Sequence, residues 1–78
     1  MATKELYAVV TFHTTTGAMH MENVAKKNGA KGRLIPVPRV ISAGCGLAWR
    51  EPVENKDFIL GLIKDNEIDM DEIYDLEL

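Results

Sequence analysis

The residues best suited to chemistry in this 78-residue chain surround its single cysteine, Cys45. Cys45 stands between Gly44 and Gly46, and glycines let backbone N–H groups or a second molecule approach a sulfur atom closely. A dithiol redox cycle would need a second cysteine, which this sequence lacks. A single thiol can instead receive a sulfur or selenium atom, exchange disulfides with another molecule, or bind a soft metal. A lone cysteine can also be a small buried residue that only packs, and the local pattern leaves both interpretations open.

Two arginines, Arg39 and Arg50, flank the cysteine and suggest an anionic sulfur or a bound anion. A nearby guanidinium favours the thiolate form, and its planar fork also binds oxyanions. We expect Arg39, together with the amides of Gly44 and Gly46, to stabilise an anionic sulfur. Ser42 could donate a hydrogen bond to the same anion, although a loop serine often serves only to form a turn. Surface arginines with no ligand fit the same pattern, so both roles are hypotheses.

A second candidate for anion binding is the run Thr14, Thr15 and Thr16, which lies between a predicted strand and a predicted helix. A helix N-terminus presents backbone N–H groups and the positive end of the helix dipole to anions. The same threonines can simply cap the helix, and the GxxxxGK(S/T) pattern of a P-loop is missing. His13 and His20 could join the cysteine as metal ligands, but their spacing defines no site. We therefore predict no metal and no resident cofactor, only a transient persulfide or selenide on the cysteine.

The hydrophobic pattern predicts four strands and two helices. β-branched and aromatic residues make the first strand, and apolar residues at helical spacing follow it. Phe58, Ile59, Leu62 and Ile63 form the apolar stripe of the second predicted helix. The predicted strands are residues 7–12, 33–37, 47–51 and 72–78, and the predicted helices are residues 17–28 and 53–65.

The order β-α-β-β-α-β is that of the split βαβ, or ferredoxin-like, arrangement. We therefore predict one α+β domain over residues 1–78, a two-layer sandwich with two helices on one face of a four-stranded antiparallel sheet. Pro36 and Pro38 cannot donate to a strand ladder, so the second strand should end there or lie at an edge. The uncovered face of the sheet would be available for a homodimer.

Charge is distributed unevenly along the chain. Residues 1–50 carry seven bases and two acids, whereas residues 51–78 carry two bases and ten acids. The acidic part suits a solvated surface or docking on a basic partner. The bases are few and scattered, so nucleic-acid binding is not expected. No apolar run approaches the roughly 20 residues that span a bilayer, and one cysteine without a signal peptide fits a reducing cytoplasm.

Two runs are more specific than these general patterns, Pro-Val-Pro-Arg at residues 36–39 and Cys-Gly-Leu-Ala at residues 45–48. With Phe12, the threonine run, Ala18 and Glu22, they resemble the selenium/sulfur carrier protein-like domain family of small bacterial and archaeal proteins. The resemblance covers nearly the whole chain. In that family an acidic residue often follows the arginine and a serine often precedes the glycine, so Val40 and Ala43 depart from its pattern. The resemblance implies that the cysteine at position 45 carries sulfur or selenium.

We predict that Cys45 accepts a sulfur or selenium atom from a donor protein and passes it to an acceptor protein. Such a protein is a carrier or binding protein rather than an enzyme, because turnover needs both partners. Two alternatives stay open. A regulatory module of the same fold would bind a small ligand or anion between Thr14–Thr16 and the cysteine loop. An interaction adaptor would dock through its acidic part, with Cys45 merely packed.

Overall fold

A computed structural model describes residues 5–41 and 45–78, and its strands and helices follow the predicted order. The elements are β1 (Leu6–Thr11), α1 (Thr15–Lys27), β2 (Arg33–Pro36), β3 (Leu47–Pro52), a 3-10 turn (Val53–Asn55), α2 (Lys56–Asp65) and β4 (Ile73–Glu77). Their bounds lie close to the predicted ones. The largest difference is at the start of the second helix, where the first predicted residues form the 3-10 turn instead of α-helix.

The four strands form one antiparallel sheet in the order β2-β3-β1-β4. This order, with a helix in each of the two crossovers, confirms the predicted α+β ferredoxin-like sandwich. Because β1 and β3 are antiparallel neighbours, the end of β1 and the start of β3 lie at the same end of the sheet. The pair Thr11↔Ala48 closes their ladder there. We call this end, where β1 leads into α1 and Cys45 leads into β3, the thiol end.

The larger core lies between the sheet and the two helices. Side chains of a strand alternate between its two faces, so every second residue of β1 and β3 points toward the helices. Trp49 of β3, Met21 of α1 and Ile59 of α2 are fully buried in this layer. The remaining buried members of the layer are Ala8, Val10, Phe12, Ala18, Val24, Ala25 and Ile68.

The apolar stripe of α2 is narrower than predicted. Ile59 is buried and Leu62 and Ile63 pack beside the core, but Phe58 is 43% exposed. Phe58 directly precedes Ile59, so its side chain points about 100° away from the buried centre of the stripe. Phe58 therefore lies at the exposed edge of the stripe, outside the core. Within residues 5–41 and 45–78, no helix has the length and apolar character needed to cross a membrane.

The sheet face opposite the helices is not bare. Val9 of β1 and Ala48 of β3 are both fully buried on this face, where they form a cluster with Ile41. Ile41 ends a turn in which its N–H donates to the carbonyl oxygen of Pro38 at 2.9 Å. The connection from β2 to β3 therefore folds back over the centre of a face that the sequence had predicted to be uncovered.

A fully buried carboxylate, that of Glu51 in β3, joins three segments of the chain. Its Oε1 accepts hydrogen bonds from the Gly32 amide at 3.1 Å and the Trp49 indole N–H at 2.9 Å. Its Oε2 accepts from the Lys31 amide at 3.1 Å and the Asn55 side chain at 3.0 Å. A buried carboxylate is costly unless it is hydrogen-bonded, and these donors satisfy both of its oxygens. Glu51 thus ties the α1–β2 connection and the turn before α2 to the central strand.

The position of Gly32 explains how the α1–β2 connection comes so close to this carboxylate. A Cβ atom at Gly32 would collide with the backbone carbonyl of Arg50 and crowd Oε1 of Glu51. Only glycine therefore allows the amides of Lys31 and Gly32 to reach the buried oxygens.

Candidate functional site

Cys45 lies at the thiol end, two residues before β3 begins at Leu47. Its side chain is half-buried and packs against the core on the helix-covered side of the sheet. Leu47 and Trp49 of β3 also face the helices. The Cys45 side chain therefore lies at the edge of the helix-covered core.

The sulfur contacts the backbone of Leu47, two residues further along the chain. The Leu47 N–H donates to Cys45 Sγ at 3.4 Å, and the S–H group lies 3.5 Å from the Leu47 carbonyl oxygen, to which it can donate. Gly46, between them, has φ 76°, a left-handed conformation that favours glycine. The sulfur therefore has one backbone donor and one backbone acceptor within hydrogen-bond distance.

The N-terminus of α1 also lies at the thiol end, because α1 directly follows β1. Thr14 is the N-cap, and its Oγ1 accepts a hydrogen bond from the Gly17 amide at 3.1 Å. Thr15 and Thr16 are the first two residues of the helix, and both are exposed. The structure thus brings the threonine run and Cys45 to one end of the sheet, and it gives Thr14 the capping role that the sequence left as an alternative.

Acidic residues from the segment before β4 reach the same end of the molecule. The Asp71 carboxylate lies 3.7 Å from His13 Nε2. The backbone carbonyl oxygen of Asp69 lies so close to Gly17, in the first turn of α1, that a Cβ atom on residue 17 would collide with this oxygen. Anion binding by the threonine run stays a prediction.

The two arginines considered as partners of the sulfur lie in different places. Arg39 is exposed on the turn that ends at Ile41. Arg50 lies on the opposite sheet face from Cys45, with its guanidinium 4.6 Å from the centre of the Tyr7 ring. Arg50 also lies three residues, or about 10 Å, along β3 from its first residue, Leu47, so Arg50 does not contact the sulfur. The predicted roles of Ser42 and Gly44 lie outside the described residues.

The histidines do not gather around the cysteine. His13 faces Asp71, and His20 is exposed on α1. In the described parts of the chain, no three side chains of His, Cys, Asp or Glu are arranged to hold a metal ion. The same residues enclose no detectable pocket.

Comparison with known proteins places this arrangement in a family. Residues 7–75 match the model of the family described as "Putative Se/S carrier protein-like". No curated protein and no solved structure matches the chain significantly. The matched region includes both helices, β2, β3, Cys45 and all of β1 except Leu6. The chain therefore belongs to the Se/S carrier protein-like family.

Proposed function

We propose that this chain carries a sulfur or selenium atom on Cys45 and passes it from a donor protein to an acceptor protein. The family description supports transfer of these elements. Cys45 is the single cysteine of the sequence, so it is the thiol on which the atom would be held. The observation that best supports the proposal is the half-buried sulfur at the end of the sheet, with the Leu47 amide donating to it.

In the loading step, the Cys45 thiolate attacks the outer sulfur of a donor persulfide, R–S–SH. A bond forms between Cys45 Sγ and that outer sulfur, the donor S–S bond breaks, and the donor leaves as the thiolate R–S⁻. The outer sulfur keeps its proton and its oxidation state, so the step needs no oxidant or reductant. Selenium would be loaded in the same way from R–S–SeH. In the unloading step, an acceptor nucleophile attacks the outer atom and Cys45 leaves as a thiolate.

The Leu47 amide supports both steps for the same reason. Cys45 carries a negative charge before loading and again when it acts as the leaving group, and the donated hydrogen bond stabilises that charge. We propose that Arg39 and the amides of Gly44 and Gly46 contribute in the same sense. The donor and acceptor are proteins, as a carrier requires. A homodimer through the face opposite the helices is also a proposal, and Ile41 lowers the apolar area that a second copy could bury there.

Persulfide loading followed by mass spectrometry tests the proposal. The reduced native protein, incubated with sodium polysulfide, should gain one sulfur atom, and Cys45→Ser should gain none. The same chain unfolded in urea provides the matched control for an ordinary cysteine. Loading of the native protein should be faster than that of the unfolded chain, because the folded backbone supplies the Leu47 amide. A native thiol that loads or alkylates only after unfolding would show that Cys45 is a packed residue, as the adaptor alternative requires.

Variants at Gly46 separate the backbone geometry from the thiol itself. Among the described residues other than its chain neighbours, no atom lies within 4 Å of a Cβ placed at Gly46, so the left-handed φ decides which residues fit there. Gly46→Asn keeps this φ accessible, whereas Gly46→Val strongly disfavours it. We expect Gly46→Val to load several-fold more slowly than Gly46→Asn, because the Leu47 amide is displaced from the sulfur. Equal rates would show that this hydrogen bond does not assist the reaction.

A further inference from the structure

Two arginines stand side by side on the sheet face opposite the helices. Arg33 of β2 is directly across the ladder from Arg50 of β3. Side chains at such positions are neighbours, and like charges there destabilise a sheet. Among the described residues, neither arginine forms an ion pair with a carboxylate; the ion pairs present are His13–Asp71, Lys26–Glu22 and Lys56–Asp75. The fold therefore keeps two uncompensated positive charges together.

Two tyrosines lie on the same sheet face as this arginine pair. The Arg50 guanidinium lies over the Tyr7 ring, a cation–π contact that holds it against the sheet. The register places Arg50 opposite Val9, and Val9 opposite Tyr74 of β4, so Tyr74 lies in the same row across the sheet. Tyrosine and arginine are the residues that contribute most often to binding energy at protein interfaces. This sheet face carries two residues of each type: Arg33 and Arg50, and Tyr7 and Tyr74.

The acidic charge of the rest of the chain indicates which kind of anionic partner can bind the arginine pair. Residues 51–78 carry ten acids and two bases, and these residues form α2 and the β4 edge of the sheet. A nucleic acid would bring a continuous row of phosphates against this acidic side, whereas a short acidic peptide segment can contact the arginines alone. Carboxylates bind guanidinium groups through two parallel hydrogen bonds, and tyrosines pack against peptide side chains.

We propose that Arg33 and Arg50, with Tyr7 and Tyr74, form a docking site for an acidic segment of a protein partner. The site lies on the opposite face of the sheet from Cys45, and Arg50 is about 10 Å along β3 from Leu47, where the strand begins. A partner bound there would leave the thiol end uncovered. The proposal does not depend on the chemistry of Cys45, so Cys45→Ser should leave the docking unchanged.

The stability of Arg33→Gln gives a first test. If the arginine pair is retained for binding at a cost to the fold, removing one charge should raise the midpoint of thermal unfolding by about 2–5 °C. Lys27→Gln is the matched control, because it removes an exposed positive charge from α1, on the other side of the sheet. The thermal midpoints of both variants are measured by calorimetry. An unchanged or lower midpoint for Arg33→Gln, relative to the unchanged protein, would show that the pair carries no such cost and would overturn the inference.

Binding of a glutamate-rich decapeptide, measured by fluorescence anisotropy at low salt, gives the second test. We expect saturable binding that weakens as salt is added, and a loss of at least about tenfold in affinity for Arg33→Gln and for Arg50→Gln. Lys27→Gln and Cys45→Ser should bind like the unchanged protein. Pyrophosphate and a single-stranded RNA of similar charge are tested in parallel. Equal or tighter binding of either, no peptide binding, or equal binding by all variants would overturn the proposal.

Discussion

Replacing the buried carboxylate of Glu51 by an amide should cost a large part of the stability of this protein. Glu51→Gln keeps the shape of the side chain but turns one acceptor oxygen into a donor NH2 group. If this group takes the place of Oε2, the Asn55 side chain can rotate and accept from it. The Lys31 amide, which donates to Oε2 at 3.1 Å, is then left without an acceptor.

The loss in free energy of unfolding follows from the hydrogen bonds that Glu51→Gln breaks or weakens. A buried N–H without an acceptor costs about 1–3 kcal/mol. The bonds from Gly32 and the Trp49 indole, at 3.1 and 2.9 Å, keep an acceptor but lose its negative charge. We expect a total loss of about 2–4 kcal/mol. A chain of 78 residues has a total stability of about 4–12 kcal/mol, so the variant should fold but be much weaker.

Urea unfolding followed by tryptophan fluorescence is the appropriate assay. Trp49 is the single tryptophan, and its indole N–H donates directly to Glu51, so its emission reports on this contact as well as on unfolding. With a slope of about 1 kcal/mol per molar urea for a small domain, the midpoint should fall by about 2 M or more. Circular dichroism at the same urea concentrations checks that both probes follow one transition.

Glu54→Gln is the control, because it makes the same chemical change on an exposed side chain three residues further along. It should alter the free energy of unfolding by less than about 0.5 kcal/mol. If Glu51→Gln were equally mild, or if Glu54→Gln were equally costly, the buried hydrogen bonds of Glu51 would not be what holds these segments together.

Four further changes have expected effects on stability. Gly61→Ala, in the exposed middle of α2 with no atom near the new Cβ, should raise the free energy of unfolding by about 0.5–1 kcal/mol. Gly17→Ala, also in a helix, should lower it because a backbone carbonyl presses on that position; a thermal midpoint above that of the unchanged protein would contradict the packing. Ile41→Ala should cost about 2–4 kcal/mol in urea unfolding, and a loss below about 1 kcal/mol would mean that Ile41 does not cover the sheet. Thr14→Ala should cost about 1 kcal/mol by the same assay while Thr15→Ala costs less, and equal losses would exclude a specific N-cap.

The local patterns of the sequence determined the elements and their order. The alternation in β1 and the helical spacing after it depend on neighbouring residues alone, so they are visible in a single chain. The end of α1 is a similar case: Asn28 is its C-cap and Gly29 follows with φ 75°, as the Asn-Gly pair predicts. From the resulting βαββαβ order, the sheet topology follows from general rules of strand connection. The single cysteine with its glycine neighbours likewise identified the candidate site.

Only the tertiary structure decided which distant residues meet. Glu51 looked like a surface acid, and its donors at Lys31 and Gly32 come from another connection, brought near by strand pairing. The pairing register put Arg33 opposite Arg50, and strand alternation turned Arg50 away from the sulfur. Ile41 covers the sheet face because its turn folds back on β1 and β3. Each of these contacts joins residues that are far apart along the chain or on different faces, and no local pattern encodes such a distance.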